Sequence, residues 1–459
     1  MAAHLANGIP TRLLMWQRVR EYAVPPSMIE TSTARRTAGD WAGACAAARV
    51  DVDLDLRAVR QRHGTEVTAR LRADLRRLAP DLLRWHMPRI APDGRLRPGL
   101  TLSLARYRAA GDLPVHLVVR TPPAWADAGQ RMSLALWEES RGSPAGHHPH
   151  PHPDRRFRLD LHRHLWDAGR SGELARRSAV DLDSSWARAR WAAEAEVLCR
   201  AEGRTRGAFT VRLDARRRAV LELVAPDDSH APTFRPLARE LPSQEVAALP
   251  VLPEAAARVL PDLELLRAGL ISVGRLHPLV GAALPTYVSG SATAVPVAGT
   301  RDPHRVECRG EVHRIALRDG VLSAVDHDPA QLRREELLVA LGGPPLPCLR
   351  AIDAVHRTPE ALPAVRDRLR HGDVVGALNV VEGLLGPGAV LRDGPLREEL
   401  ESAAVHRVDH GLYRSGLVDE HPAAEVTEEG HRPRRDRRMP HEMRRKLNRR
   451  TRPRNGLAV

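Results

Sequence analysis

Apolar residues in this chain come in short runs that prolines and glycines keep interrupting. There are 37 prolines and 33 glycines in 459 residues, and nowhere do 18 apolar residues follow one another. A membrane-crossing helix needs about 20, so no span is expected. Proline and glycine punctuate regular structure, so the chain should fold as many short elements. Apolar residues make up 42%, enough for two or three domains with cores of their own.

The N-terminal part carries helical spacing. Val67, Leu71, Leu75 and Leu78 form one apolar stripe, as a helix that buries a single face requires. Gly64 separates this helix from one over 54–62. The pair is either a helix-turn-helix, with Arg60, Arg62, Arg70, Arg72, Arg76 and Arg77 facing phosphate, or an ordinary helical hairpin with a solvated arginine face. Further on the period shortens to two, the signal of a half-buried strand. Phe157, Leu159 and Leu161 alternate with polar residues, and so do Phe209, Val211 and Leu213 before Val220, Leu221 and Leu223. Asp319-Gly320 lies between Val312, Ile315, Leu317 and Val321, Leu322, Val325, a strong hairpin signal. Helices are expected over 330–341, 359–370 and 374–385.

These readings predict an α+β fold: a helical N-terminal region, then mixed helix and β-hairpin regions, then a disordered basic C-terminal tail. The expected domains are a helical region over 1–90, an α+β domain over 91–230 and a proline-rich connection over 231–262. An α+β domain with a hairpin and C-terminal helices follows over 263–420, and the tail over 421–459. One internal echo stands out: Gly39-Asp40-Trp41-Ala42-Gly43-Ala44 resembles Gly372-Asp373-Val374-Val375-Gly376-Ala377. An aspartate cap after a glycine turn accounts for it without a repeat.

Four cysteines, Cys45, Cys199, Cys308 and Cys348, form no close pair. A reducing compartment and a cytoplasmic location fit that usage. Lys446 is the only lysine, and arginine richness throughout is what a GC-rich coding sequence produces. The tail is different in degree. Arg432, Arg434, Arg435, Arg437, Arg438, Arg444, Arg445, Lys446, Arg449, Arg450, Arg452 and Arg454 face only Asp436 and Glu442, in a chain of net charge +14. With three prolines and almost no apolar residue, such a segment cannot bury a core. It attracts polyanions by counterion release, so DNA, structured RNA or an acidic protein are the expected partners.

Three histidine groups invite a metal. His147, His148, His150 and His152 sit among prolines, a spacing that imposes no geometry. His304, Cys308, His313 and His327, with Asp326 and Asp328, flank the hairpin and offer zinc-ligand types. The other reading is a buried cysteine with surface residues at a strand end. His406 and His410 stand one helical turn apart beside Asp409, without the H-E-x-x-H pattern. No phosphate loop or nucleophile elbow appears, and no cofactor is indicated. The expectation is therefore a non-enzymatic nucleic-acid or ribonucleoprotein-associated protein acting through its tail. The alternatives are an enzyme with a non-linear active site near Cys308 and His313, or a protein-interaction module.

Overall fold

The computed structural model describes residues 5–6, 9–108, 114–138, 152–178, 184–214, 216–224, 230–284, 305–308, 310–318, 321–357, 359, 361–386 and 390–415. The fold is α+β, with a helical N-terminal region and a mixed middle. The described residues form two compact units, one up to 284 and one from 305 onward, with Ala128–Gln130 grouped in the second. No helix among them is long and apolar enough to cross a membrane.

The first unit opens with α1 (Thr11–Arg18), α2 (Pro26–Thr37) and α3 (Trp41–Ala47). Gly39 takes φ +82, and the Asp40 carboxylate accepts from Gly43 N at 2.8 Å, so α3 begins on a side-chain cap. Strand β1 (Val50–Asp53) follows, then α4 (Leu56–Arg77) and α5 (Pro80–His86). Val67, Leu71, Leu75 and Leu78 are all buried, so the apolar stripe faces the core. Gly64 (φ 82, ψ 178) kinks α4, but the helix resumes at once. A helix-turn-helix needs a turn of three or four residues, which this kink does not provide.

The sheet is built by β2 (Thr101–Arg108), β3 (Pro114–Arg120) and β4 (Met132–Glu138) with β1, in the order β1-β4-β3-β2. Strand β1 runs parallel to β4, with Val50 opposite Met132; the other pairings are antiparallel. Strands β2 and β3 are buried almost throughout, which requires cover on both faces.

Residues 157–164 do not form the expected strand. Arg158 makes a single bridge to Ser103, and its guanidinium is drawn to Asp160 at 2.8 Å and Glu202 at 2.6 Å. Phe157 and Leu159 are buried from a turn instead.

A smaller layer packs α6 (Arg188–Ala201) on β5 (Gly207–Arg212), β6 (Arg218–Val224) and β7 (Thr233–Pro236). Here the alternation is expressed as a strand pair. Phe209 faces Leu221 across β5 and β6, and both pack on Trp191, Ala195 and Cys199. The short helices α7 (Pro261–Arg267) and α8 (Pro278–Ala283) complete the unit. They lend polar groups to the core: Asp262 accepts from Trp85 Nε1 at 2.7 Å and Arg20 at 3.1 Å, and His277 bonds Asp81 at 2.9 Å.

The second unit begins with an antiparallel meander, β8 (Arg305–Cys308), β9 (Glu311–Arg318) and β10 (Val321–Ala324). Asp319 and Gly320 lie outside the described residues, but the strands on either side pair as a hairpin should, with Ile315 opposite Ala324. Helices α9 (Pro329–Ala340), α10 (Pro347–Arg357), α11 (Leu362–Arg370), α12 (Val374–Leu385) and α13 (Pro395–Arg414) follow. One core joins the meander to α10 through Ile315, Leu322 and Ile352; a second joins α11, α12 and α13 through Val365, Val381 and Leu396.

Candidate metal centre

The meander and the start of α10 bring three ligand-type side chains together. Cys308 is the last residue of β8, opposite Glu311. Cys348 stands in the first turn of α10, behind Pro347, a residue suited to a helix start. His327 follows β10, and two aspartates hold its segment in place. Asp326 accepts from Arg314 N at 2.7 Å and from the Arg314 guanidinium at 2.8 Å, tying the chain back to β9. Asp328 caps α9 by accepting from Ala330 N. The histidine between these two anchors is turned inward.

The ligand atoms of Cys308, His327 and Cys348 lie within 4.8 Å of one another, and all three residues are buried. Zinc bonds of about 2.0–2.3 Å set tetrahedral ligand atoms roughly 3.5–3.8 Å apart. A small inward movement therefore suffices to close the three on one ion. Burial, then the hydrogen bond with Cys308, push the Cys348 thiol up to about 11. A bound cation reverses that balance, because it stabilises thiolates where burial alone disfavours them. Two thiolates and one imidazole are a soft donor set that suits zinc rather than magnesium or calcium.

His313 sits beside the cluster rather than in it. It lies on β9 opposite Val306, and its ring stacks on His327 with centroids 4.2 Å apart and planes 9° apart. Its Nδ1 is buried without a hydrogen bond, and its Nε2 lies 3.7 Å from Glu311. The stack holds the His327 ring in one orientation. Asp326 faces Arg314, which holds its carboxyl down at about 2, so it serves as a clamp.

Of the residues singled out in the sequence, Cys308 and His327 fall in the group, His313 falls next to it, and His304 lies outside the described residues. Cys348 was not singled out, because it arrives on a later helix. The one hint to it in the sequence is a second cysteine within the same stretch of chain. His406, Asp409 and His410 lie on α13, which runs through Gly411, and they join no metal-type group. His147, His148 and His150 lie outside the described residues; the His152 ring lies 5.6 Å from Trp137.

The expectation of a non-enzymatic nucleic-acid-associated protein is corrected by this cluster. Arg432, Arg434, Arg435, Arg437, Arg438, Arg444, Arg445, Lys446, Arg449, Arg450, Arg452 and Arg454 lie outside the described residues, so no arginine-rich tail or nucleic-acid interface is part of the described fold. What the fold assembles instead is a buried Cys2His group. The physical reason is that charge density is visible in a linear segment, whereas convergent ligands become visible only after strands and helix pack. Comparison with protein-family models, with curated proteins and with solved structures gave no match. The functional reading therefore stands on the geometry.

Proposed function

We propose that the protein is a metal-dependent enzyme whose second unit holds a zinc-type ion through Cys308, His327 and Cys348. The observation that carries this reading is the convergence of two buried cysteines and a buried histidine within 4.8 Å. Three protein ligands leave a tetrahedral ion one position for water or substrate, the arrangement of catalytic rather than structural zinc. An ion so placed acts as a Lewis acid and lowers the pKa of its bound water. Hydrolytic chemistry on a carbonyl or phosphoryl group is the class this donor set serves.

The test uses the full chain, purified and loaded with zinc or cobalt(II). One metal ion per chain is expected, with a thiolate-to-cobalt charge-transfer band in the cobalt form. Cys308→Ala, His327→Ala and Cys348→Ala should each abolish stoichiometric binding. A chain that takes up no metal sinks the reading. Azide should perturb the cobalt spectrum by entering the open position; an unperturbed spectrum would mean a closed, structural site and no enzyme here.

A further inference from the structure

The first unit contains a cavity of about 310 Å³ lined by both apolar side chains and arginines. Trp16, Leu102, Phe157 and Leu260 are among the apolar lining residues, and Arg12, Arg97 and Arg258 among the cationic ones. A second cavity of about 230 Å³ shares Arg97, Arg258 and Glu254 with it and adds Arg156 and Arg212. Arg97 and Arg258 thus line both cavities.

Several polar groups on these walls are unspent. Trp16 is 8% exposed, yet its Nε1 makes no hydrogen bond. His86 Nε2 and Arg97 Nε are likewise buried without a partner. A buried donor left unmade costs about 1–3 kcal/mol, and three around one cavity indicate that something else completes them. Arg97 and Arg258 have no carboxylate within ion-pair distance among the described residues, whereas Arg12 pairs with Glu264 and Arg158 with Asp160. Arg258 instead lies over the Trp186 ring at 4.0 Å. Glu254 is the carboxylate common to both linings, beside the two shared arginines, and Asp214 lines the second cavity. Burial and the charge of Arg258 bring Arg12 down to about 10, and Arg97 is among the charges that lower Arg212. These cations repel one another, and Glu254 offsets only part of that repulsion.

We infer that this cavity binds a small organic anion, its carboxylate or phosphate between Arg97 and Arg258 and its apolar body against Trp16, Leu102 and Phe157. Paired guanidiniums suit planar and tetrahedral oxyanions alike. The volume lies at the low end of small-molecule sites. Trp16 Nε1 donates to an acceptor on the ligand body, and neutral His86 supplies the opposite polar contact, since burial holds it down at about 4. The site is independent of the metal centre, which lies in the other unit.

The test is titration of the full chain with anilinonaphthalene sulfonate, an amphiphilic anion whose emission rises in an apolar site. Its neutral counterpart, N-phenylnaphthylamine, and inorganic phosphate are run beside it. One saturable site is expected for the sulfonate. Arg97→Gln and Arg258→Gln should each weaken it about tenfold, the loss of one charge-assisted contact. Trp16→Phe keeps an aromatic side chain but removes the N–H donor together with the five-membered ring, and should weaken binding severalfold with native tryptophan emission from the remaining residues. The neutral probe should bind more weakly and ignore both arginine substitutions. No saturable binding, equal binding of the two dyes, or indifference of the sulfonate to Arg97→Gln and Arg258→Gln would overturn the inference. Inorganic phosphate competing as tightly as the sulfonate would overturn the apolar half of it.

Discussion

Among the described residues the first unit has a core of 46 buried apolar residues around its four-stranded sheet and a smaller one of 11 around α6, while the second unit has two clusters of seven. The difference extends to polar groups. The first unit buries whole ionic networks, such as Arg20 and Trp85 on Asp262, or Tyr107 and Arg163 on Asp74. In the second unit ion pairs such as Arg314–Asp326 and Arg392–Asp353 are largely exposed, where each contributes little, and Arg368–Asp373 is half-buried. A large core tolerates and exploits buried charge; small cores need a staple. In the second unit the ion proposed for Cys308, His327 and Cys348 would serve as that staple while keeping its open position, since these residues come from the end of β8, the segment after β10 and the start of α10.

The comparison can be broken most sharply at Asp262. Its carboxylate is fully buried and answers both Arg20 and Trp85 Nε1. Asp262→Ala leaves a buried guanidinium unpaired and should destabilise the first unit by about 3–5 kcal/mol. All eight tryptophans lie at or before Trp191, so their emission reports that unit alone. Denaturant unfolding followed by tryptophan emission should shift strongly, and a shift under 1 kcal/mol would mean that the network is dispensable.

Metal removal is the mirror experiment. At free ion about a thousandfold above its dissociation constant, binding adds about 4 kcal/mol to the folded state. Chelation should therefore loosen the meander and α10, seen by hydrogen exchange, and leave tryptophan emission unchanged. Faster exchange in the first unit but not the second would reverse the assignment of the staple.

These two experiments also mark the limits of what the sequence carried. The stripe from Val67 to Leu78 and the facing pair Phe209 and Leu221 were legible, because a period of 3.6 or 2 records which face is buried. Strand β1 was not, because its partner β4 pairs with it in parallel from far along the chain. The alternation at 157–161 misled because Arg158 has a stronger claim from Asp160 and Glu202 than from a ladder. Cys308 and His327 stood near each other along the chain; Cys348 needed the packing of α10 to join them.

Acid should separate the units a third way. Burial holds His86 and His116, both in the first unit, down at about 4. Unfolded, each titrates near 6.5, so between 6.5 and 4 the unfolded chain binds protons that the folded one refuses. Stability from this source is complete above 6.5 and falls as pH drops toward 4. His86 alone accounts for about 3 kcal/mol, and buried His116 adds to it in the same direction. Tryptophan-detected unfolding at pH 7, 6, 5 and 4 should show the loss, and His86→Gln should flatten its steepest part. An unchanged slope in that variant would place the acid sensitivity elsewhere.

The smallest effect tests where the units are alike. Gly39 and Gly372 take φ +82 and +81, and Asp40 and Asp373 cap α3 and α12 by accepting from Gly43 N and Gly376 N. In both, a Cβ on the capped glycine would fall on the aspartate carboxylate, at 2.0 Å for Gly43 and 2.2 Å for Gly376. The echo in sequence is thus one local solution used twice. Asp40→Ala and Asp373→Ala should each cost about 1 kcal/mol, the first read by tryptophan emission and the second by exchange in α12. The same local loss draws on unequal reserves. With the metal chelated, Asp373→Ala should move α12 toward exchange at rates set by its own small core, while Asp40→Ala should leave the first unit folded. Equal tolerance of the two substitutions under chelation would show that the three-helix cluster of the second unit stands without support from the proposed metal site.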